Sequence, residues 1–282
     1  IETPIRKQKN KKKPALLLIV GMLSLPLLGY TVLVEDGFPK RIAEPQGLFN
    51  YYGSFKQHEY VDYSWCDGAP SVDDSWCREM EHPTTILIGD SHIDQLMNRF
   101  AEKGFERFAK LVSLGAGNCP PLMRQNDPND RCTKQIQHTL GQLKSYPTLE
   151  YAIISSWNTK YGEPDLALAE ITPVLERLIA AGLKVAYIVD NPTLKESPDH
   201  CSLAWPDLKL KIAGPPRYCT NPSKEIFEPY TKYSAFIEKL RVRFPEVFVF
   251  DPLPEFCDGT VCNIRTGDIM NYVDEGHVSN FI

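Results

Sequence analysis

The sequence predicts an α/β protein, a parallel sheet of about five strands covered by helices, from three features of the region after Pro83. Short apolar runs recur there, segments of helical period separate them, and the first run breaks off at Gly89-Asp90-Ser91-His92 as a helical pattern begins. The strands are expected at Thr85 to Ile88, Ala109 to Leu114, Tyr151 to Ser155, Val185 to Val189 and Val247 to Phe250. Helices fit between them at Ile93 to Lys103, Thr133 to Leu143, Pro164 to Ala181 and Lys224 to Arg243. The first helix sets Ile93, Leu96, Met97 and Phe100 on one face. Ligands of such open sheets bind beyond the carboxyl ends of the strands, where Ser91 falls.

Upstream the texture differs. Arg6, Lys7, Lys9, Lys11, Lys12 and Lys13 form a basic run, and Pro14 to Val34 carries no charge. That length suits the roughly 20 residues a membrane-spanning helix needs. The lysines before it put the N-terminus in the cytoplasm and the remainder outside. A secretory signal peptide is the rival, and it exports the same residues. A buried core helix fits less well, because the run lacks a polar face. The chain begins with Ile rather than Met, as a fragment would. From Glu35 to Pro83 the sequence is rich in Gly, Pro, Tyr and Asp with little periodicity, and its Tyr51, Tyr52, Tyr60, Tyr63, Trp65 and Trp76 suit packing against a neighbouring domain more than stacking on sugars.

Length and composition allow one sizeable core: 282 residues, 43% hydrophobic and 24% charged. A net charge of −5 argues against a general nucleic-acid binder. The eight cysteines fall as near neighbours, Cys66 and Cys77, Cys119 and Cys132, Cys201 and Cys219, Cys257 and Cys262. We read these as sequential disulfides in an oxidising compartment, although eight cysteines admit other pairings. A zinc site is the rival, but the sequence has no Cys-x-x-Cys pair and no compact Cys/His set. Ser197 to Asn221, rich in proline, reads as a stapled surface excursion, a lid or an acceptor-binding loop.

The chemistry gathers at two distant points. A strand, a tight turn and a helix start meet at Ser91, a geometry that lifts a hydroxyl out of the sheet and turns helix-start amides toward a developing oxyanion. The plainer alternative is that Asp90 or Ser91 merely caps the helix. A serine hydroxyl needs a base, and the base needs a third group to fix its tautomer. Near the C-terminus, Asp274 precedes His277 by about one turn and could reach its Nδ1. His58, His82, His138 and His200 have no such carboxylate, and His92 is assigned to shaping the turn. Asp190-Asn191-Pro192 and Asp251-Pro252 end two strands and are explained by turn formation, though both could border an acceptor site.

Gly89-Asp90-Ser91-His92 with Asp274-x-x-His277 resembles blocks I and V of the SGNH hydrolase superfamily. Ile1-Glu2-Thr3-Pro4-Ile5-Arg6 is similar to the sequence that closes the membrane domain of the acyltransferase-3 family. The basic loop, apolar span and GDSH domain that follow resemble the C-terminal half of the fused acyltransferase-3/SGNH O-acetyltransferases that modify bacterial surface glycans. The resemblance implies a three-layer, flavodoxin-like α/β/α fold. It also implies oxyanion donors at Ser91, Gly117 and Asn158, with Gly115 and Asn118 in reserve; the family's usual Gly-x-Asn-Asp is replaced by Trp157-Asn158 here. Members continue into a final helix, so the end at Ile282 reads as cut. The organisation expected is a cytoplasmic basic linker at 1–13, a transmembrane helix at 14–34, an SGNH extension at 35–83 and the SGNH domain at 84–282.

The function expected is O-acetyl transfer to an exported glycan or its lipid-linked precursor, of the O-antigen or lipopolysaccharide type. Ser91 is the nucleophile, His277 the base and Asp274 its orienter. No metal is expected and no cofactor is expected to bind this domain. By resemblance, acetyl-CoA is the ultimate donor, acting through a membrane acyltransferase-3 domain that would precede Ile1. The setting is the bacterial inner membrane with the SGNH domain in the periplasm. A carbohydrate esterase using water as acceptor is the alternative. A non-catalytic glycan-binding domain, lacking contact between Ser91 and His277, is the third possibility.

Overall fold

The computed structural model describes residues 22–26, 29–30, 64–66, 72, 74–97, 100, 110–124, 127, 129–195, 198, 201, 219–266 and 269–279. The chain forms two units, 1–45 and 46–282. In the first, residues 22–26 and 29–30 are helical, and Met22, Leu23, Leu25 and Tyr30 are exposed. Most of the span expected at 14–34, the basic run and all of 35–63 lie outside the described residues. Among the described residues no helix is long and apolar enough to cross a membrane.

The second unit is built on a sheet of seven strands, which we number β1 (Ser64–Trp65), β2 (Ser75–Glu79), β3 (Thr85–Gly89), β4 (Leu111–Ala116), β5 (Tyr151–Ser155), β6 (Lys184–Ile188) and β8 (Phe248–Phe250), in the order β1-β2-β4-β3-β5-β6-β8. The last five in that order are mutually parallel. Counted alone they run 2-1-3-4-5, the flavodoxin-like order, whose binding crevice opens where the chain reverses direction across the sheet. Here that crevice lies between the ends of β3 and β5. The central strands β3 and β4 are buried along their whole length, as strands covered on both faces must be.

Strands β1, at the sheet edge, and β2 fall within the segment expected to be a loop-rich extension. They add antiparallel to the sheet beside β4, so the sheet itself continues upstream of residue 84. The half-buried side chains of β2 explain why no apolar run announced it. Two small pairs were also absent from the sequence reading: β7 (Thr220–Pro222) with β9 (Val261–Asn263), and β10 (Arg265–Thr266) with β11 (Ile269–Met270).

Helices with both ends among the described residues of this unit include α1 (Ser91–Asp94), α2 (Arg131–Gln142), α3 (Pro164–Ala180), α4 (Ser223–Arg243) and α5 (Leu253–Phe256). The helix expected at Ile93 to Lys103 is interrupted: α1 covers Ser91–Asp94, Gln95 and Leu96 make a turn, and Met97 and Phe100 are again helical, with 98–99 and 101–109 outside the described residues. Helix α2 starts where Asp130 accepts a hydrogen bond from the Thr133 amide. Helix α3 starts with Pro164, whose missing N–H costs nothing in the first turn, and ends at Gly182, whose φ of +84° closes the turn. Its Ile171, Val174, Leu175 and Leu178 meet Ile86, Ile88, Ala152 and Ile154 of the sheet in the main core, together with Phe236 and Leu240 of α4. Leu87 and Ile153 point the other way, onto Ile93 and Met97.

Three of the expected disulfides are formed: Cys66–Cys77, Cys119–Cys132 and Cys257–Cys262. Cys201 and Cys219 are not bonded to each other in this structure. Their thiols are in hydrogen-bonding contact, and burial, then that contact, pushes the Cys201 thiol pKa up.

Candidate active site

The turn after β3 is built by Gly89 and Asp90. A Cβ at Gly89 would collide with the Ser155 carbonyl oxygen of the neighbouring strand, so only glycine lets the two strand ends approach this closely. Asp90, almost wholly buried, is the helix cap. Its carboxylate accepts the His92 amide at 3.0 Å and the Trp157 amide at 3.1 Å, tying the end of β3 to that of β5. Burial raises its pKa, opposed by His92 and by those two amides. Capping therefore falls to Asp90, and the Ser91 hydroxyl is left for another partner.

That partner is His277. Its Nε2 lies 2.7 Å from Ser91 Oγ, and its Nδ1 lies 2.7 Å from Asp274 Oδ2. The other oxygen of Asp274 accepts the amides of Gly276 at 2.8 Å and His277 at 2.7 Å, so one carboxylate both closes the turn and orients the ring. Burial pushes the Asp274 carboxyl pKa up, but the hydrogen bonds and charge of His277, with the Gly276 amide, outweigh it and hold the group down at about 2. The three predicted residues thus form one hydrogen-bonded chain from hydroxyl to carboxylate.

The expected oxyanion donors are placed differently. The Gly117 amide donates to the Asp74 carbonyl at 3.0 Å, because β2 brings residue 74 alongside the end of β4. The Asn158 side-chain amide donates to Asp190 Oδ2 at 2.7 Å and to Thr193 Oγ1 at 3.2 Å, inside a buried cluster. Of the three, the Ser91 amide alone makes no hydrogen bond among the described residues. Of the reserves, Gly115 is enclosed by Gly89 and Trp76, and Asn118 takes a left-handed φ of 58° just past β4. Among the described residues no group of three or more His, Cys, Asp or Glu side chains is arranged to hold a metal ion.

A family model described as "SGNH domain (fused to AT3 domains)" matches residues 63–282. The chain belongs to this SGNH family. No curated protein matches the sequence. Among solved structures it is similar to Est24, a carbohydrate acetylesterase from Sinorhizobium meliloti, at 15% identity over 70% of this chain and 91% of that one, TM-score 0.42. A GDSL-like lipase from Bacteroides thetaiotaomicron VPI-5482 matches at 11% identity over 82% and 90% of the two chains, TM-score 0.38.

The SGNH domain also holds a second histidine–aspartate pair that sequence reasoning missed. His92 Nδ1 lies 2.7 Å from Asp190 Oδ1, and both side chains are 1% exposed. Burial opposes charge on His92, but Asp190, Asp90 and Asp274 together raise its pKa. Asp190 is itself held on every side. Its Oδ2 accepts the Asn158 amide at 2.8 Å, its own amide donates to the Tyr233 hydroxyl, and its carbonyl accepts from Tyr230. The His92 ring stands between Trp157 and His277, 5.6 and 4.7 Å away centre to centre. An aspartate at a strand end and a histidine beside the nucleophile were both visible, but each alone is common, and they are 98 positions apart.

Proposed function

We propose that this SGNH domain transfers an acetyl group to a hydroxyl of an exported bacterial surface glycan through a serine acyl-enzyme. The observation that carries this reading is the hydrogen-bonded chain Ser91–His277–Asp274, with 2.7 Å at each link between side chains. That contact also weighs against a purely glycan-binding role.

Ser91 Oγ attacks the acyl carbonyl carbon while His277 Nε2 takes its proton, and Asp274 steadies the imidazolium that results. The carbonyl oxygen becomes an oxyanion, which the Ser91 amide at the start of α1 can meet. Removing one such donor typically costs about 3 to 4 kcal/mol of transition-state stabilisation. Collapse of the intermediate expels the donor's leaving group, which takes the proton from His277, and leaves Ser91 acylated. An incoming hydroxyl then gives its proton to His277 and attacks the ester, and the serine recovers a proton as it leaves.

The acceptor is what separates transfer from hydrolysis. The family's description as fused to AT3 domains supports transfer, since a membrane acyltransferase domain upstream of Ile1 would hand an acetyl group from acetyl-CoA to this site. The uncharged run at 14–34 and the basic run before it support anchoring in the inner membrane with the SGNH domain in the periplasm. The cysteine bonds suit that oxidising setting.

The test replaces Ser91 with alanine in the full-length protein and follows acetyl groups on the surface glycan by NMR. Loss of acetylation on an otherwise intact glycan is expected, and unchanged acetylation eliminates the serine mechanism. A glycan that gains acetyl groups in the Ser91→Ala strain would instead identify a carbohydrate esterase.

A further inference from the structure

The turn that carries His277 is closed by its own hydrogen bonds. Asp274 caps it from within, and the Val273 amide closes it onto the His277 carbonyl at 2.9 Å. What brings its imidazole to Ser91 is therefore the way this preformed turn is docked against the nucleophile turn. Two buried amide side chains make that joint, Gln95 at 8% and Asn191 at 4% exposure.

Gln95 ends the short helix that Ser91 begins. Its Oε1 accepts the amide of Val278, the residue after His277, at 2.8 Å, and its Nε2 donates to the His92 carbonyl at 2.9 Å. Asn191 lies three residues beyond β6. Its Nδ2 donates to the carbonyl of Gly276, the residue before His277, at 2.7 Å. The two side chains meet each other, with Gln95 Nε2 donating to Asn191 Oδ1 at 3.3 Å. The backbone is thus gripped on both sides of the imidazole by groups anchored to the nucleophile's helix and to the sheet. Gly276 also sits flat against the His92 ring, where an added Cβ would lie 3.4 Å from Cε1 and Nε2.

We infer that Gln95 and Asn191 are a pair of positioning residues, an amide clamp that fixes the His277 imidazole at hydrogen-bonding distance from Ser91. The inference rests on the Ser91–His277 reading above and says where its precision comes from. Neither residue touches the reacting atoms. A misplacement of the base by about 1 Å can cost on the order of a hundredfold in rate, which is the scale such a clamp controls.

The experiment measures hydrolysis of 4-nitrophenyl acetate by the full chain carrying Gln95→Met, Asn191→Leu, both together, or Ser91→Ala, with rates normalised to the folded fraction from a thermal melt. Each single change is expected to lower kcat about 10- to 100-fold with KM within about twofold, as loss of base positioning demands. The double variant is expected to fall little below the worse single one, because the pair works as a unit. Gln95→Glu, which keeps an oxygen facing the Val278 amide, is expected to retain more kcat than Gln95→Met, and it keeps the test alive if Gln95→Met folds poorly. Wild-type kcat in both Gln95→Met and Asn191→Leu, a change confined to KM, or a Gln95→Glu variant slower than Gln95→Met overturns the clamp. Activity surviving in Ser91→Ala overturns the serine reading instead, so the two failures are distinguishable.

Discussion

His92 and Asp190 meet 2.7 Å apart next to the serine turn, with both side chains buried and the ring of His277 4.7 Å from that of His92. A buried pair of this kind is costly to break, because removing one partner strands the charge of the other. Asp190→Asn is expected to destabilise the domain by about 3 to 5 kcal/mol, measured by chemical denaturation at pH 6. Because the folded pKa of His92 is raised above 6.5, the stability it contributes is fully present below pH 6.5 and is lost as pH rises through the folded value. The gap between wild type and Asp190→Asn should therefore narrow on moving to alkaline pH. A gap that widens there contradicts a charged His92.

Asp274 works in the opposite sense. Its carboxyl is lowered from 3.8 to about 2, so its contribution to stability is present above pH 3.8 and disappears as pH falls through about 2. Asp274→Asn is expected to lower kcat for acyl-ester hydrolysis by roughly 10³- to 10⁴-fold, because the neutral amide favours the wrong tautomer of His277. A steady-state assay at pH 7.5 checks this, and an activity within tenfold of wild type, as an order of magnitude, removes Asp274 from the orienting role.

Gly89 is where one added methyl can break the fold. A methyl at this position has to displace the Ser155 carbonyl of a buried parallel strand. Gly89→Ala is expected to cost more than about 2 kcal/mol in urea denaturation and to lower activity with it. Gly141→Ala is the control: Gly141 lies within α2 with nothing near its missing Cβ, and alanine there is expected to be neutral or stabilising by up to about 1 kcal/mol.

Cys119 and Cys132 tie the loop after β4 to the start of α2 across 13 residues. Replacing both with serine is expected to cost about 2 to 4 kcal/mol, read as a shift in the urea midpoint. The same shift should appear in wild type under reducing conditions, in addition to the effect of the other bonds. Eight reactive thiols in unreduced, denatured protein would contradict all three bridges.

Much of the sheet was legible before any coordinates. Ile86 to Ile88 and Tyr151 to Ser155 announce themselves because a parallel strand covered on both faces has to be apolar almost throughout. Strand β2 did not, since Ser75 to Glu79 lies half-buried at the sheet's antiparallel side and carries only Trp76 and Cys77 as apolar residues. The apolar period through Leu96, Met97 and Phe100 did not announce the break after Asp94, where Gln95 turns its side chain inward to Asn191 and Val278 before the chain is helical again at Met97.

The sequence by itself determined the chemistry available: a serine at a strand end, a histidine with an aspartate one turn ahead of it, and cysteines spaced to be bridged. Those are local properties, carried by residue type and short spacing. Which amides stay open and which groups meet was decided by the tertiary structure alone. Gly117 loses its donor to Asp74 across two strands, Asn158 turns inward to Asp190, and Gln95 reaches Val278 from 183 positions away. Such pairings depend on strand order and register, and packing sets these only once the sheet has closed over its core.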